Sequence, residues 1–351
     1  MQKSAWLVSP VLAFVAALPI QAQFTQGGNS PSNAAPSAVS SPDISSEDEV
    51  YTHCNRGSAK LSLGDWDGAI AEYTQAIELK PDEWIAYYNR GNARVHKNDM
   101  DGAFADFNKA IELKPDQGEP YGSRAAVEIS KKLWDGAISD ETKTIQLKPD
   151  SQIAYVGRAT AKQAVGDEEG AIADWTKAIE LKPNFTVAYL RRGVAKVAMG
   201  DYTGAITDYS QAIQLNPNYA EAYAGRGIAY EKEGGYDKAL ADYNQALMVD
   251  GDNIAALNGR AWLWATCPRA DMRNGMNAFM DATQACNATL WKNPAMIGTL
   301  AAVYAETGDF DNAVKSQKQV LEIPGLSPSF LADARKRLAL YEAHQPYRDN
   351  K

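Results

Sequence analysis

Prolines recur in this chain at a fixed interval of 34 residues, and Gly251 takes the next place in the series. Each proline follows an apolar run such as AIELK or AIQLN, where a ring without an N–H donor ends a helix. A fixed period of this size is typical of a repeat protein, in which each unit packs mainly against its neighbours. The five prolines are Pro81, Pro115, Pro149, Pro183 and Pro217.

Small and large side chains also recur at this period. An alanine lies twelve residues before each place in the series, and four residues after it most units carry an aromatic residue. Residues at this spacing share one face of a helix, which predicts close packing against a neighbouring helix. Each unit is therefore predicted to be helix, turn, helix. The alanines are Ala69, Ala103, Ala137, Ala171, Ala205 and Ala239, and the large residues are Tyr73, Phe107, Glu141, Trp175, Tyr209 and Tyr243.

This pattern resembles the tetratricopeptide repeat, which places a glycine in a first helix, an alanine and an aromatic residue in a second helix, and then a proline. The resemblance implies an all-α fold: a right-handed α-solenoid of about eight helix-turn-helix units, spanning residues 47–327. The segment 328–351 is predicted to form a capping helix and tail that cover the open end of the stack. The units are expected near 50–83, 84–117, 118–151, 152–185, 186–219, 220–253, 254–293 and 294–327, the seventh carrying six extra residues.

The N-terminal segment has a different composition. Residues 1–22 combine Lys3, the apolar run Ala5–Ile20 and a small residue at Ala22, a pattern that predicts a secretory signal peptide. An uncleaved membrane anchor is the alternative, although the run is short for a span of roughly 20 residues. Residues 23–46 are rich in Ser, Pro, Asn and Gly, which predicts a disordered linker. Export to a periplasm or out of the cell is therefore expected.

Charge limits the class of partner. The chain has 35 Lys and Arg against 44 Asp and Glu, a formal charge of -9 and a pI of about 5.0. Binding to a phosphate backbone needs a net basic face, so no nucleic acid partner is expected. Three cysteines are an odd number for a disulfide framework. Cys267 and Cys286 are predicted at opposite ends of a helix pair, too far apart for a disulfide.

An arginine recurs at the same period in the first helices, and an acid follows sixteen residues later, or at Asp281 beyond the insertion of the seventh unit. In the eighth unit Leu300 and Ser316 replace both charges together, which favours a physical pairing. A guanidinium holds a carboxylate through two bonds, and an unpaired arginine at a helix interface would carry a large desolvation cost. The pattern predicts a structural ladder of ion pairs, within or between units. The alternative is an arginine row that binds an acidic ligand. The members are Arg56, Arg90, Arg124, Arg158, Arg192, Arg226 and Arg260, with Glu72, Asp106, Asp140, Asp174, Asp208, Asp242 and Asp281.

The family resemblance also implies a function. Tetratricopeptide arrays are scaffolds that bind a peptide or a protein segment in the concave groove of their first helices. Helical spacing places small and apolar side chains in the middle of this groove, which favours an amphipathic helix or an extended apolar segment as ligand. The alternative is that these side chains pack against neighbouring first helices. The predicted groove residues are Tyr88, Asn92, Val156, Thr160, Leu190, Val194 and Ile228.

Catalysis is not expected. His53, His96 and His344 lie far apart in sequence, and the chain has no glycine-rich phosphate loop, metal-ligand cluster or nucleophile elbow. The sequence therefore predicts no enzyme, no cofactor, no metal site and no small-molecule substrate. Self-association through the end helices is a further possibility. Charged residues such as Lys336 on the last helix favour a solvated outer face and a monomer.

Overall fold

A computed structural model of the protein describes residues 46–349. This part of the chain is all-α, with seventeen α-helices, one short 3-10 helix and no strand. The predicted signal peptide and nearly all of the predicted linker lie outside the described residues, so export stays a prediction. Within the described residues, no helix is both long and apolar enough to cross a membrane. The helices fall into two compact bodies that meet in sequence between Leu181 and Lys182.

The N-terminal body contains four helix pairs. Each helix packs on the next one along the chain, as the helix-turn-helix prediction requires. The helices are α1 (Ser46–Ser62), α2 (Trp66–Leu79), α3 (Trp84–His96), α4 (Met100–Leu113), α5 (Gly118–Ser130), α6 (Trp134–Leu147), α7 (Gln152–Ala164) and α8 (Glu168–Leu181).

The C-terminal body contains four further pairs and one closing helix. The extra residues of its seventh unit lie between α13 and α14 and include the 3-10 helix Ala270–Met272. The helices are α9 (Thr186–Met199), α10 (Tyr202–Leu215), α11 (Ala220–Lys232), α12 (Tyr236–Val249), α13 (Ile254–Thr266), α14 (Gly275–Ala288), α15 (Pro294–Glu306), α16 (Phe310–Glu322) and α17 (Pro328–Glu342).

The turn inside each unit follows from local sequence. Gly200 ends α9 with φ +83°, a left-handed conformation that glycine adopts without steric cost. Asp201 then caps α10, since its carboxylate accepts a hydrogen bond of 2.9 Å from the N–H of Gly204. The same cap recurs at Asp65, Asp99 and Asp167.

The closing helix α17 packs on α16. Ala334 and Tyr341 are fully buried, and the amide of the buried Gln317 donates a 3.0 Å hydrogen bond to the carbonyl of Ala334. The opposite face of α17 exposes charged side chains such as Arg335 and Lys336. A helix with one apolar and one charged face is what the open end of a stack needs.

Close crossing of the two helices in a unit depends on glycine. In the fifth unit, a Cβ atom added to Gly193 would lie 2.8 Å from Cε1 of the buried Tyr209, nearer than Cβ contacts in real proteins. In the third unit Ala125 takes the place of the glycine, and Glu141 takes the place of the aromatic residue. Where a glycine faces an aromatic ring, the missing Cβ thus leaves room for that ring.

Gly193→Ala tests this packing. We expect the free energy of unfolding to fall by about 1 kcal/mol, because a steric cost of roughly 1–3 kcal/mol exceeds the gain of up to about 1 kcal/mol in helix propensity. Gly298→Ala in α15 is the matched control, since the nearest atom to its added Cβ is Nη2 of Arg337 at 3.8 Å. The control is expected to be neutral or stabilising in urea unfolding followed by circular dichroism. Equal stabilisation by both changes would contradict the packing account.

Candidate functional site

The predicted arginines and acids come together in six of the seven units. In the second unit, Nε and Nη2 of Arg90 donate hydrogen bonds of 3.0 and 2.7 Å to the two carboxylate oxygens of Asp106. The same two-bond geometry joins the first and second helix of every later unit in the series. These pairs are Arg124–Asp140, Arg158–Asp174, Arg192–Asp208, Arg226–Asp242 and Arg260–Asp281.

A third bond ties five of these arginines to the unit before their own. Nη1 of Arg90 donates to the hydroxyl of Thr74, which lies sixteen residues earlier on the second helix of the preceding unit, at 3.2 Å. Arg124, Arg158, Arg226 and Arg260 donate in the same way to Asn108, Thr142, Ser210 and Asn244. Each of these arginines therefore links three helices, and its carboxylate-binding edge is already occupied. This geometry supports the structural ladder rather than an acidic-ligand row.

The first unit departs from this scheme. Glu72 accepts a 2.7 Å hydrogen bond from Nζ of Lys60 and lies 2.8 Å from Nδ1 of His53, while Arg56 is exposed. The bond from Lys60, followed by that from His53, lowers the pKa of Glu72. The predicted pair Arg56–Glu72 is therefore wrong. In the described residues α1 has no preceding second helix, so the third bond that holds the other arginines has no acceptor here.

The predicted groove residues lie deeper than expected. Four of the seven are at most 8% exposed and pack between helices: Asn92, Val156, Thr160 and Leu190. The other three, Tyr88, Val194 and Ile228, are partly buried and pack against the apolar core clusters of their bodies. The apolar floor predicted from helical spacing is therefore mostly interior, because neighbouring helices cover it. The side chains that do remain exposed on this face include Ile85 and Ile153, each one turn earlier on its helix.

In the C-terminal body, a segment of the chain itself lies on the face formed by the first helices of the units. After α17, His344 adopts φ 56° and the chain turns back, with the N–H of Gln345 donating to the carbonyl of Leu340 at 2.8 Å. The segment Gln345–Asp349, called the tail below, then runs against α13 and α15 without forming a helix.

Aromatic and cationic groups hold the first part of the tail. The ring of Tyr347 lies 5.7 Å from the ring of Trp262 on α13. The guanidinium of Arg337 on α17 lies over both rings, at 5.5 Å from Trp262 and 6.0 Å from Tyr347. Such cation–π contacts are favourable where the groups are partly desolvated. Burial is the main cause that raises the pKa of Tyr347.

Polar contacts hold the end of the tail against the last turn of α13. The backbone N–H of Asp349 donates to the carbonyl of Thr266 at 3.0 Å, and Nε1 of Trp262 donates to the Asp349 carboxylate at 3.2 Å. Nη1 of Arg348 donates to the carbonyl of Ala265 at 3.2 Å, and its Nη2 lies 2.6 Å from Oε2 of Glu306. The final carbonyls of a helix lack partners within it, so they are ready acceptors for another segment.

Sequence reasoning missed this site, which we call the tail site: Trp262, Ala265, Thr266, Glu306 and Arg337. One signal was present. Trp262 lies 34 residues after Ile228 and occupies the same repeat position as the predicted groove residues Asn92, Thr160 and Val194. Extending the predicted face by one more unit would have included it.

The histidines and cysteines have other surroundings. His96 stacks on Trp66 with ring centres 4.2 Å apart, and burial lowers its pKa. His344 stacks on Phe310 at 5.0 Å. All three cysteines are unbonded thiols, and burial raises the pKa of Cys286 to about 11. Within residues 46–349, no group of three or more His, Cys, Asp or Glu side chains is placed to hold a metal ion.

Models of one repeat family match several parts of the chain. A model described as TPR repeat matches residues 193–234, and two models described as tetratricopeptide repeat match residues 54–118 and residues 220–253 with 295–324. Both compact bodies are represented among these matches. The matched segments are tetratricopeptide repeats (TPR).

Solved structures share this TPR fold. YrrB, described as a TPR protein with an unusual peptide-binding site, is 23% identical over 54% of this chain and 97% of its own, with a TM-score of 0.51. A tetratricopeptide repeat protein from Parabacteroides merdae is 13% identical over 84% of this chain and 99% of its own, with a TM-score of 0.50. MamA is 27% identical over 48% of this chain and 92% of its own, with a TM-score of 0.47. No curated protein sequence is significantly similar to this one.

The third TPR unit contains two unusual buried carboxyls. Three other units place a second cation against the ladder aspartate, at Arg94, Lys162 and Lys196, but Glu128 takes this position in the third unit. Burial, followed by repulsion from Asp140, raises the pKa of Glu128 to about 7. Glu141 occupies the aromatic position, and burial raises its pKa well above the usual range. Both side chains therefore favour the neutral form inside the protein.

The ladder can be tested with a double-mutant cycle on Arg226 and Asp242. We expect Asp242→Leu alone to cost about 3 kcal/mol, because it leaves a partly buried guanidinium without its counter-charge. Adding Arg226→Leu should recover part of that loss, giving a coupling energy in urea unfolding. The exposed pair Lys177–Glu180 on α8 is the control and should couple by at most about 0.5 kcal/mol. Additive costs at Arg226 and Asp242 would rule out a paired role.

Glu128 predicts a pH dependence of stability. Its pKa in the folded chain is raised, so its stabilising contribution is present below the usual pKa of 4.5 and is lost as the pH rises through about 7. Glu128→Gln keeps a neutral side chain at every pH. We expect its advantage over the parent in free energy of unfolding to grow by about 2 kcal/mol from pH 5 to pH 8. Unfolding midpoints measured across this range check the expectation. Glu180→Gln, which removes an exposed carboxyl on α8, is the control. The same pH-dependent change in both variants would refute the role of Glu128.

Proposed function

We propose that this TPR protein is a non-catalytic scaffold that binds an extended segment of another protein on the face formed by its first helices. The observation that carries the proposal is the position of the tail. This face of the C-terminal body is already in contact with a segment that has no regular secondary structure, through rings, an ion pair and the backbone. YrrB, which shares the fold, is described as having a peptide-binding site.

The geometry explains how such a face binds without a deep pocket. The last carbonyls of a first helix accept hydrogen bonds from the ligand backbone or from a guanidinium, whatever the rest of its sequence. An aromatic residue such as Trp262 supplies a flat apolar contact, and a nearby carboxylate such as Glu306 selects a basic side chain. Backbone contacts thus give affinity, while the side chains of each unit give specificity.

Two observations favour binding over catalysis. The carboxyls with the most strongly raised pKa values, Glu128 and Glu141, are at most 7% exposed and lie between helices rather than beside an open cleft. A shallow cavity next to the tail is lined by residues that include Leu263, Cys267 and Pro268, and burial raises the pKa of the Cys267 thiol above its usual value. A neutral thiol is a poor nucleophile.

The proposal includes the place of action. An exported scaffold, as the predicted signal peptide suggests, would meet its partners in a periplasm or outside the cell. The exposed face of α17 carries Arg335 and Lys336, which favours a chain that works as a monomer.

Site-specific photo-crosslinking tests the proposed binding face. A photo-reactive amino acid replaces Ile153 on the first helix α7, which is 38% exposed, or Ala173 on the second helix α8 as an exposed apolar control. We expect a protein partner to be cross-linked at Ile153 and not at Ala173, because only the first has its side chain on the proposed face. Cross-linking should be detected by mass spectrometry of native extracts. The same products at both positions, or none at Ile153, would exclude this face.

A further inference from the structure

We propose that the tail is a displaceable occupant of the tail site, and that the site binds a partner segment carrying an aromatic, a basic and an acidic residue in succession. The inference rests on the proposed function and adds the chemistry of the ligand and its control. Residues Tyr347, Arg348 and Asp349 define that order, because each contacts a different part of the site.

The aromatic residue is recognised by two groups. Trp262 presents its ring to one side of Tyr347, and Arg337 lies over both rings. The Tyr347 side chain is only partly buried, so the contact is a surface slot rather than a core position. A tyrosine or phenylalanine of a partner would make the same contacts.

The basic and acidic residues are recognised at the end of α13. A guanidinium in the position of Arg348 reaches the Ala265 carbonyl and the Glu306 carboxylate together. Arginine suits this place better than lysine, because its planar group presents several donors in fixed directions. The following carboxylate accepts from Nε1 of Trp262, while the backbone N–H beside it donates to the Thr266 carbonyl.

The site keeps its internal partners when the tail leaves. Glu306 also lies 3.0 Å from Nε of Arg273, so its charge stays paired. Arg337 still covers Trp262, and the carbonyls of Ala265 and Thr266 lie at a helix end next to the exposed Pro268. Losing the tail thus leaves no buried charge without a counter-charge, which is the usual reason that a contact is costly to break.

A separate protein is the partner that the contacts favour, rather than a second copy of the chain. A short tether holds the tail near its own site at an effective concentration on the order of millimolar, which suppresses binding of an identical tail from another copy. A partner segment that continues along the neighbouring first helices gains further contacts and can displace the tail.

A fluorescence anisotropy titration tests the inference with a labelled peptide, AHQPYRDNK, copied from residues 343–351. The full chain is compared with a release variant, Tyr347→Ala with Arg348→Glu, which empties the site while the chain remains complete. Lys336→Glu on the exposed face of α17 is the control variant, because it makes the same change of charge as Arg348→Glu and leaves the tail intact. Circular dichroism checks that each variant is folded.

We expect the peptide to bind the release variant at least about tenfold more tightly than it binds the parent or the control variant, since the tethered tail no longer competes. A peptide that carries the same two substitutions should not bind. Equal binding to all chains, or no binding to any, would overturn the inference. Loss of fold in the release variant would show that the tail is part of the cap and would overturn it too.

Two further outcomes separate the possible sources of failure. Light scattering that shows a dimer of the parent, absent in the release variant, would assign the occupant to a second copy and overturn the choice of partner. Failure of the peptide test with cross-linking intact at Ile153 would remove this inference and leave the proposed function standing.

Discussion

A single guanidinium that bonds to two second helices at once is the interaction on which the order of this array depends. In most units the arginine of the first helix holds the aspartate of its own second helix and a hydroxyl or amide of the preceding second helix. Apolar packing alone would allow small rotations of one helix on another, since alanine and aromatic side chains have no directional bonds. The forked hydrogen bonds fix the rotation, and therefore fix which side chains each first helix presents. Specificity of this kind, rather than stability, is the best-attested role of buried ion pairs.

The sequence predicted this part of the structure well for a physical reason. A repeated unit creates the same environment at every period, so a pattern seen seven times reports one local geometry. Helix ends at Gly200 and Asp201, close crossings at Gly193, and pairs such as Arg90–Asp106 all depend on contacts inside a unit or with the next unit. Contacts of this kind repeat with the unit, so the spacing of residues along the chain is enough to indicate them.

The ladder pair that was wrong, and the features that sequence reasoning missed, lie where the period says nothing. Arg56 is at an edge, where the neighbour that completes the bonding pattern is missing from the described residues. Helical spacing identified a face for Leu190 and Val156 but not the depth at which neighbouring helices bury it. The tail site joins Trp262 to Asp349, which are 87 residues apart, and the tail belongs to no repeat. Its contacts therefore have no periodic signal, although Trp262 itself stands in the predicted register.

The third unit illustrates how a repeat tolerates change. Glu128 and Glu141 stand where other units have a cation and an aromatic ring, yet the helix pair forms and the ladder pair Arg124–Asp140 is kept. Burial raises the pKa of both acids, so less charge opposes folding than two fully ionised carboxylates would bring. The unit is thus held by the same guanidinium fork, with two titratable groups in place of packing residues.

The position of the tail after α17 has a consequence for local opening. Segments beyond a packed helix open more easily than the helices themselves, because few buried contacts hold them. The tail can therefore leave α13 and α15 without unfolding them, and each opening exposes the end of α13 for a short time. In the proposed exchange, a partner segment binds only during these openings, so the opening equilibrium lowers its apparent affinity.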